Sequence, residues 1–298
     1  MRPSVLAAMV YCGAAFGGSF LFMRIAAPDL PALVVAFGRV AIASLVLTVV
    51  AGPRTLRALA PAWRGFLVLG VFMTAGPFLL FAVAERSITA GMGAIINATT
   101  PLWTVVVVAI WMRQRVSSKR LTALVVGFSG VGVIVGVDAL ALAPDAWLGA
   151  ATALVAASSY GIGLTFVRRR MMGFAPVHLA LGQLVAASVL LLPGAVLSLP
   201  QAHFELDSSL AVIGIAIVST AIAWPVLFTI NHAVGAVATS TVTFLNPIFG
   251  VLWGALFLGE TISPTLLGGA GLVFASLALI FDVRLPAVLR ARATASVD

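Results

Sequence analysis

Apolar stretches of about 20 residues, the length an α-helix needs to cross a hydrocarbon core, recur along nearly the whole chain. Short charged clusters and Pro/Gly breaks part them into ten segments: 4–23, 31–51, 65–84, 88–112, 119–137, 147–167, 176–198, 209–230, 236–258 and 264–282. The pattern predicts an all-α integral membrane protein with ten transmembrane helices. An even number of crossings places both termini on one side.

Composition agrees with the pattern. The chain is 62% hydrophobic and 9% charged, with a mean hydropathy of +1.17, where a soluble domain carries roughly 25% charged residues. A net charge of +8 suggests nucleic acid until its distribution is read. With the N-terminus inside, inner segments hold Arg2; Arg54, Arg57 and Arg64; Arg113, Arg115, Lys119 and Arg120; Arg168, Arg169 and Arg170; and Arg284, Arg290 and Arg292. Outer segments keep only Arg24 and Arg86, whereas Asp29, Glu85, Asp138, Asp145, Glu205, Asp207 and Glu260 fall outside. Cationic loops mark the cytoplasmic side, so the charge is a topology signal and no nucleic-acid partner is expected. The Arg168–Arg170 run reads as a solvated inner anchor. Cys12 is the sole cysteine, which excludes an intrachain disulfide. The apolar run from Ser4 to Met23 has no small-residue cleavage site, so it reads as a retained span.

Aligning Pro101 with Pro247 sets "ITAGMGAIINATTPLWTVVVVAIWMRQRVSS" (88–118) against "VGAVATSTVTFLNPIFGVLWGALFLGETISP" (234–264). In both, small and hydroxyl residues lead to a proline, a bulky apolar half and a short polar loop. A second match, "AAFGGSFLFMRIA" (14–26) with "SSYGIGLTFVRRR" (158–170), pairs Phe16 with Tyr160 and, further on, Arg39 with Gln183. The chain therefore divides into two five-helix units, 1–143 and 144–282, followed by a basic tail at 283–298 expected in the cytoplasm. Five is odd, so the second unit is expected upside down, as inverted-topology repeats are.

The run "NPIFGVLWGALFLGETISPTLLGGAGLVFASLALI" (246–280) resembles the last two helices of the drug/metabolite transporter superfamily, EamA-type branch. A mid-helix proline, the Gly259-Glu260 pair and a Gly-rich final helix carry the resemblance. The first half holds a weaker copy, with Gln114 in place of the glutamate. The chain is most similar to the YddG-type bacterial amino-acid exporters. The resemblance implies ten helices in two inverted repeats, cytoplasmic termini, a bacterial inner membrane location and export of small metabolites.

Residues that could carry such a function lie inside the spans. Pro101 and Pro247 each remove a backbone donor and so leave a carbonyl open four residues back, at Asn97 and Thr243. Thr99, Thr100, Ser240, Thr241 and Asn246 surround them. Broken helices with open carbonyls at midplane fit a polar-solute site or a hinge; plain kinks with Ser/Thr satisfying the backbone are the alternative. Arg39 is the only charge deep in a span, about 12 Å from its outer boundary at 1.5 Å per residue. At such depth a charge costs at least about 2.5 kcal/mol unless paired or hydrated. It either attracts a substrate carboxylate or bonds helix carbonyls to steady the bundle. Phe16, Phe78, Phe81, Trp103, Tyr160, Trp224 and Phe228 lie too deep for interfacial anchoring and line a pocket or pack helices. Gly13/Gly17, Gly132/Gly136 and Gly250/Gly254 have close-packing spacing.

Absences narrow the class. Span interiors hold no Asp, Glu or Lys, so the membrane carboxylate of a cation exporter and a double-cation clamp for sugar phosphates are both missing. His178, His203 and His232 are scattered and form no metal or relay cluster. The expectation is a secondary transporter, not an enzyme, needing no metal or cofactor and complete as a monomer in the lipid bilayer. It would export neutral amino acids, aromatic or other apolar ones included, by alternating access. Its substrate-binding residues would be Arg39, Asn97, Thr100, Trp103, Tyr160, Phe16, Phe78, Thr243 and Asn246, with Pro101 and Pro247 as hinges. Another small neutral metabolite or drug is the alternative, and a channel or non-transporting membrane protein the remote one.

Overall fold

The computed structural model describes residues 3–111, 113, 117–141 and 145–280; Gln114 and the tail at 283–298 lie outside them. Among the described residues all regular structure is helical. The first half comprises α1 (Pro3–Ala26), α2 (Ala32–Ala51), α3 (Arg54–Leu59), α4 (Trp63–Leu69), α5 (Gly76–Ala84), α6 (Ala90–Asn97), α7 (Thr100–Trp111) and α8 (Ser118–Ala141). The second comprises α9 (Ala146–Phe166), α10 (Pro176–Ser198), α11 (Leu206–Ala216), α12 (Ala223–Ser240), α13 (Leu245–Leu258) and α14 (Pro264–Ile280).

Local chemistry sets several of these boundaries. Thr89 caps α6 by accepting from the Met92 N–H, and Ser263 does the same for Leu266 ahead of Pro264. Gly259 ends α13 in the left-handed conformation, φ 64°, which costs glycine nothing.

Seven helical stretches are long and apolar enough to cross a membrane: Ser4–Ala26, Ala32–Ala51, Arg54–Ala84, Ala90–Trp111, Ala146–Phe166, Pro176–Gln201 and Leu206–Ile230. Leu121–Gly130, Val242–Leu258 and Pro264–Ser276 are shorter apolar helices that fall on the remaining three expected spans. Two expected boundaries move. The third span begins at Arg54 rather than 65, because α3 and α4 join it through the turn at Ala60–Ala62. The break expected at 231–235 is helical, since no proline, Lys, Arg, Asp or Glu follows Pro225 in α12 up to Ser240.

Large apolar side chains such as Leu45, Val49, Ile110, Val189, Leu197 and Phe257 are exposed on the bundle's flank, a surface suited to lipid. Inside, two large apolar cores and a small one at Met9, Cys12, Ile230 and Val242 fill the bundle. One large core gathers Phe20, Leu30, Phe81, Ile88, Met92 and Ile215; the other gathers Val40, Leu47, Phe66, Met73, Phe78 and Trp224. Tyr160 packs against both. The helices meet in pairs, α2 with α10, α1 with α13, α5 with α9 and α8 with α14.

The small-residue spacings are mostly explained by this pairing. Gly17 faces the Asn246 carbonyl and Phe249, and Gly250 faces Ala94, so a side chain at either would collide. Gly132 is the exception: among the described residues nothing lies within 4 Å of a Cβ placed there.

Candidate functional site

The junction between the two cores is built around Arg39. Arg39 is 4% exposed; its Nε donates to the Thr220 hydroxyl at 2.8 Å and the guanidinium lies 3.5 Å from the centre of the Phe78 ring. Among the described residues no carboxylate pairs with it. Aromatic rings continue outward from that contact. Trp224 lies 6.4 Å from Phe78, 5.8 Å from Phe16 and 5.6 Å from Phe228. Tyr160 stacks on Phe81 at 6.4 Å. Arg39, Phe16, Phe78 and Tyr160, expected from sequence, thus come together.

Thr220 reaches Arg39 because its helix is widened. Residues Ile217–Ile222 between α11 and α12 are π-helical, and so are Gly70–Ala75 between α4 and α5. Both π-turns run into a proline, Pro77 and Pro225, whose ring crowds the carbonyl four residues back, at Met73 and Ala221, and supplies no N–H. Side chains donate to other carbonyls in and just before the turns: Tyr11 to Val218, Thr220 to Ile215 and Thr74 to Gly70. π-turns of this kind recur at functional sites. The Pro77/Pro225 pair was the signal available in the sequence for both.

The two π-turns hold matched contacts. Arg39 donates to Thr220, while the Thr74 hydroxyl donates to the main-chain carbonyl of Gln183 at 3.3 Å. Gln183 and Thr74 are the positions that the sequence offsets of 144 and 146 assign to Arg39 and Thr220. One helical turn on, Ser44 and Ser188, also 144 apart, meet at 3.5 Å where α2 crosses α10. Gln183 is buried, and among the described residues neither side-chain amide atom has a partner.

The breaks at Pro101 and Pro247 are real but differ from expectation. The first helix stops at Asn97 and restarts at Thr100; a 3-10 turn, Thr241–Phe244, precedes α13 in the second. The Asn97 carbonyl is not open: the Thr100 hydroxyl donates to it at 2.8 Å and lies 3.4 Å from the Ala157 carbonyl of α9, one turn from Tyr160. Thr243 is part-buried, at the end of that 3-10 turn. Asn246 is 2% exposed, and its side-chain oxygen has no partner among the described residues. Trp103, one turn after Thr100 on α7, is not in the ring cluster around Arg39 but edge-on to Phe128 at 5.0 Å. The side chains of Ser240 and Thr241 lie outside the described residues.

One buried acid was missed. Glu85, expected in a loop, is fully buried immediately after α5, and neither carboxyl oxygen has a partner among the described residues. Burial pushes its carboxyl well above the ordinary carboxylate range; the charge of Glu260 adds to this and Arg24 opposes it. Glu260 itself accepts from the Ala90 and Gly91 N–H groups at 3.1 and 3.4 Å, so the Gly259-Glu260 pair caps a helix of the other half. No sequence pattern announced either contact.

A multi-pass helical membrane protein with paired helix breaks and a buried, acid-free cation has the parts of a transporter. The profile of the EamA-like transporter family matches the chain twice, at residues 3–136 and 147–282, and the chain belongs to that family. Protein PecM of Dickeya dadantii is 26% identical over 75% of this chain and 75% of its own length. Uncharacterized transporter YvbV of Bacillus subtilis is 26% identical over 84% and 82%, and YoaV of the same organism 21% over 70% and 73%. A solved crystal structure shares the fold at a TM-score of 0.65 and 18% identity, over 94% of this chain and 97% of that one.

Proposed function

We propose that the chain exports neutral amino acids, aromatic or other apolar ones included, from the cytoplasm across a bacterial inner membrane, by alternating access of two inverted five-helix halves. Both termini are cytoplasmic, and the end bearing Glu85, Glu205 and Glu260 faces outward, as the clustering of basic residues at the other end favours. This is the YddG-type activity within the family.

The observation that carries the proposal is Arg39. Its charge is met by one hydroxyl and one aromatic face and by no acid among the described residues, so it is suited to a guest carboxylate. The surrounding rings of Phe16, Phe78 and Tyr160 suit an apolar side chain. Asn97, Thr100, Thr243 and Asn246 at the helix breaks offer polar contacts for the rest of the solute, with Trp103 flanking them. Pro101 and Pro247 let the halves bend. Burial of Arg39 means that this conformation holds the site closed.

The matched contacts of Arg39/Thr220 and Gln183/Thr74 support the inverted repeat and fit halves that swap conformations. Efflux of labelled phenylalanine, leucine and glutamate from vesicles containing the purified protein tests the proposal. The neutral amino acids are expected to leave faster than from empty vesicles and glutamate is not. Absence of protein-dependent amino-acid efflux, with another neutral metabolite transported instead, would move the assignment to the alternative substrate class.

A further inference from the structure

A vestibule of about 470 Å³ opens at the Glu85 end, lined by Arg24, Arg86, Thr89, Leu258 and Glu260 among others. Glu85 lies next to it under a cover of protein. Its carboxyl group is seated against Gly93 of α6 and near Phe20 of α1; a side chain at position 93 would occupy the space of Oε1. The niche exists only because residue 93 is glycine.

The cations nearby do not neutralise it. Arg24 Nη1 donates to the main-chain carbonyl of Glu85 at 2.8 Å, and Arg86 Nη1 to that of Leu30 at 3.3 Å. The charged groups that bear on the carboxyl are Arg24 from α1 and Glu260 from the segment after α13; α6 carries no ionisable residue, and Arg86 is its chain neighbour. An ionised carboxylate without a hydrogen bond, out of water and beside a second acid, is a costly arrangement, whereas a neutral carboxyl is tolerable.

We propose that Glu85 is a proton-binding site beneath the outer vestibule, occupied while the vestibule is closed over it and emptied when the vestibule opens. On opening, water and Arg24 reach the carboxyl; its O–H bond breaks and the proton passes to a vestibule water, forming hydronium. On closing, a carboxylate oxygen takes a proton back from hydronium and leaves water. Closure at the outer end thereby takes up one proton from outside, which links the transport cycle to external pH. This coupling rests on the transport function proposed above, while the proton site itself does not.

Two measurements separate the claims. Infrared titration of the purified full chain is expected to show a protonated-carboxyl band at pH 7 that disappears in Glu85→Gln. Gly93→Ala, which evicts the carboxyl from its niche, is expected to shift the loss of that band to lower pH. No such band in the wild type, or an unchanged band in Glu85→Gln, overturns the proton site whether or not the protein transports amino acids. Efflux of labelled phenylalanine from vesicles is then read against external pH. The wild-type rate is expected to change several-fold between pH 6 and pH 8, and the Glu85→Gln rate to stay flat. Equal pH responses in the two proteins overturn the coupling; a wild type that moves no phenylalanine overturns the coupling to amino-acid export and leaves the infrared result standing on its own.

Discussion

A guanidinium held by one hydroxyl and one ring face keeps most of its N–H donors for a guest, and that makes Arg39 a sensitive position. Lysine preserves the charge but not the planar fork that matches a carboxylate, so Arg39→Lys is expected to retain partial flux. Arg39→Leu removes one charge-assisted contact worth about 1.5–3 kcal/mol, and vesicle efflux should fall by about tenfold or more. Equal flux in the two variants would remove the electrostatic role. Glu85 allows a second residue-level prediction. Because its carboxyl is raised above the usual range when folded, the folded chain binds more protons than the unfolded chain above that usual range, and stability must fall as pH rises. Thermal unfolding in detergent should therefore occur at lower temperature at pH 8 than at pH 5, with a weaker trend in Glu85→Gln. Arg39 was legible in the sequence, being a charge in an apolar run. Glu85 was not: with Arg86 and Ser87 beside it, it reads as loop, and only α1 and α6 folding across it make it buried.

Helix ends explain what the family's short motifs do. Gly259 turns the chain, and Glu260 then places its carboxylate on the first N–H groups of α6, in the other half of the molecule. Glu260→Ala removes a capping interaction of about 1 kcal/mol and should lower the unfolding temperature, whereas Glu260→Gln, still an acceptor, should lower it less. The motif itself was visible in the sequence, but its partner was not, because the contact spans 170 residues. The prolines divide the same way. Pro101 and Pro247 marked both helix breaks correctly. The open carbonyl expected at Asn97 is closed by Thr100 instead, since a threonine three residues on can donate back to it. Pro77 and Pro225 mark two of the three π-turns among the described residues, the third being Val167–Met171, and it is the turn before Pro225 that delivers Thr220 to Arg39.

At the scale of the whole molecule, the inverted repeat and alternating access proposed above would restrict which contacts can change. When the halves exchange conformations, a contact between equivalent residues maps onto itself and keeps its length. Ser44 and Ser188 form such a contact at the α2–α10 crossing. A contact away from the axis maps onto a different pair, so it is made in one state and broken in the other. Ala90 of α6 and Gly254 of α13 fit that description, with Cβ positions 3.7 Å apart at the Glu85 end, within the separation a disulfide bridges. Cys12 is the chain's sole native cysteine, so a Cys12→Ser background makes the test clean. In it, Ala90→Cys with Gly254→Cys is expected to cross-link under mild oxidation, abolish phenylalanine efflux, and regain it on reduction. Ser44→Cys with Ser188→Cys is expected to cross-link while efflux continues. Efflux blocked by the second pair as completely as by the first would mean that the α2–α10 crossing moves, and that the two halves do not trade places about it.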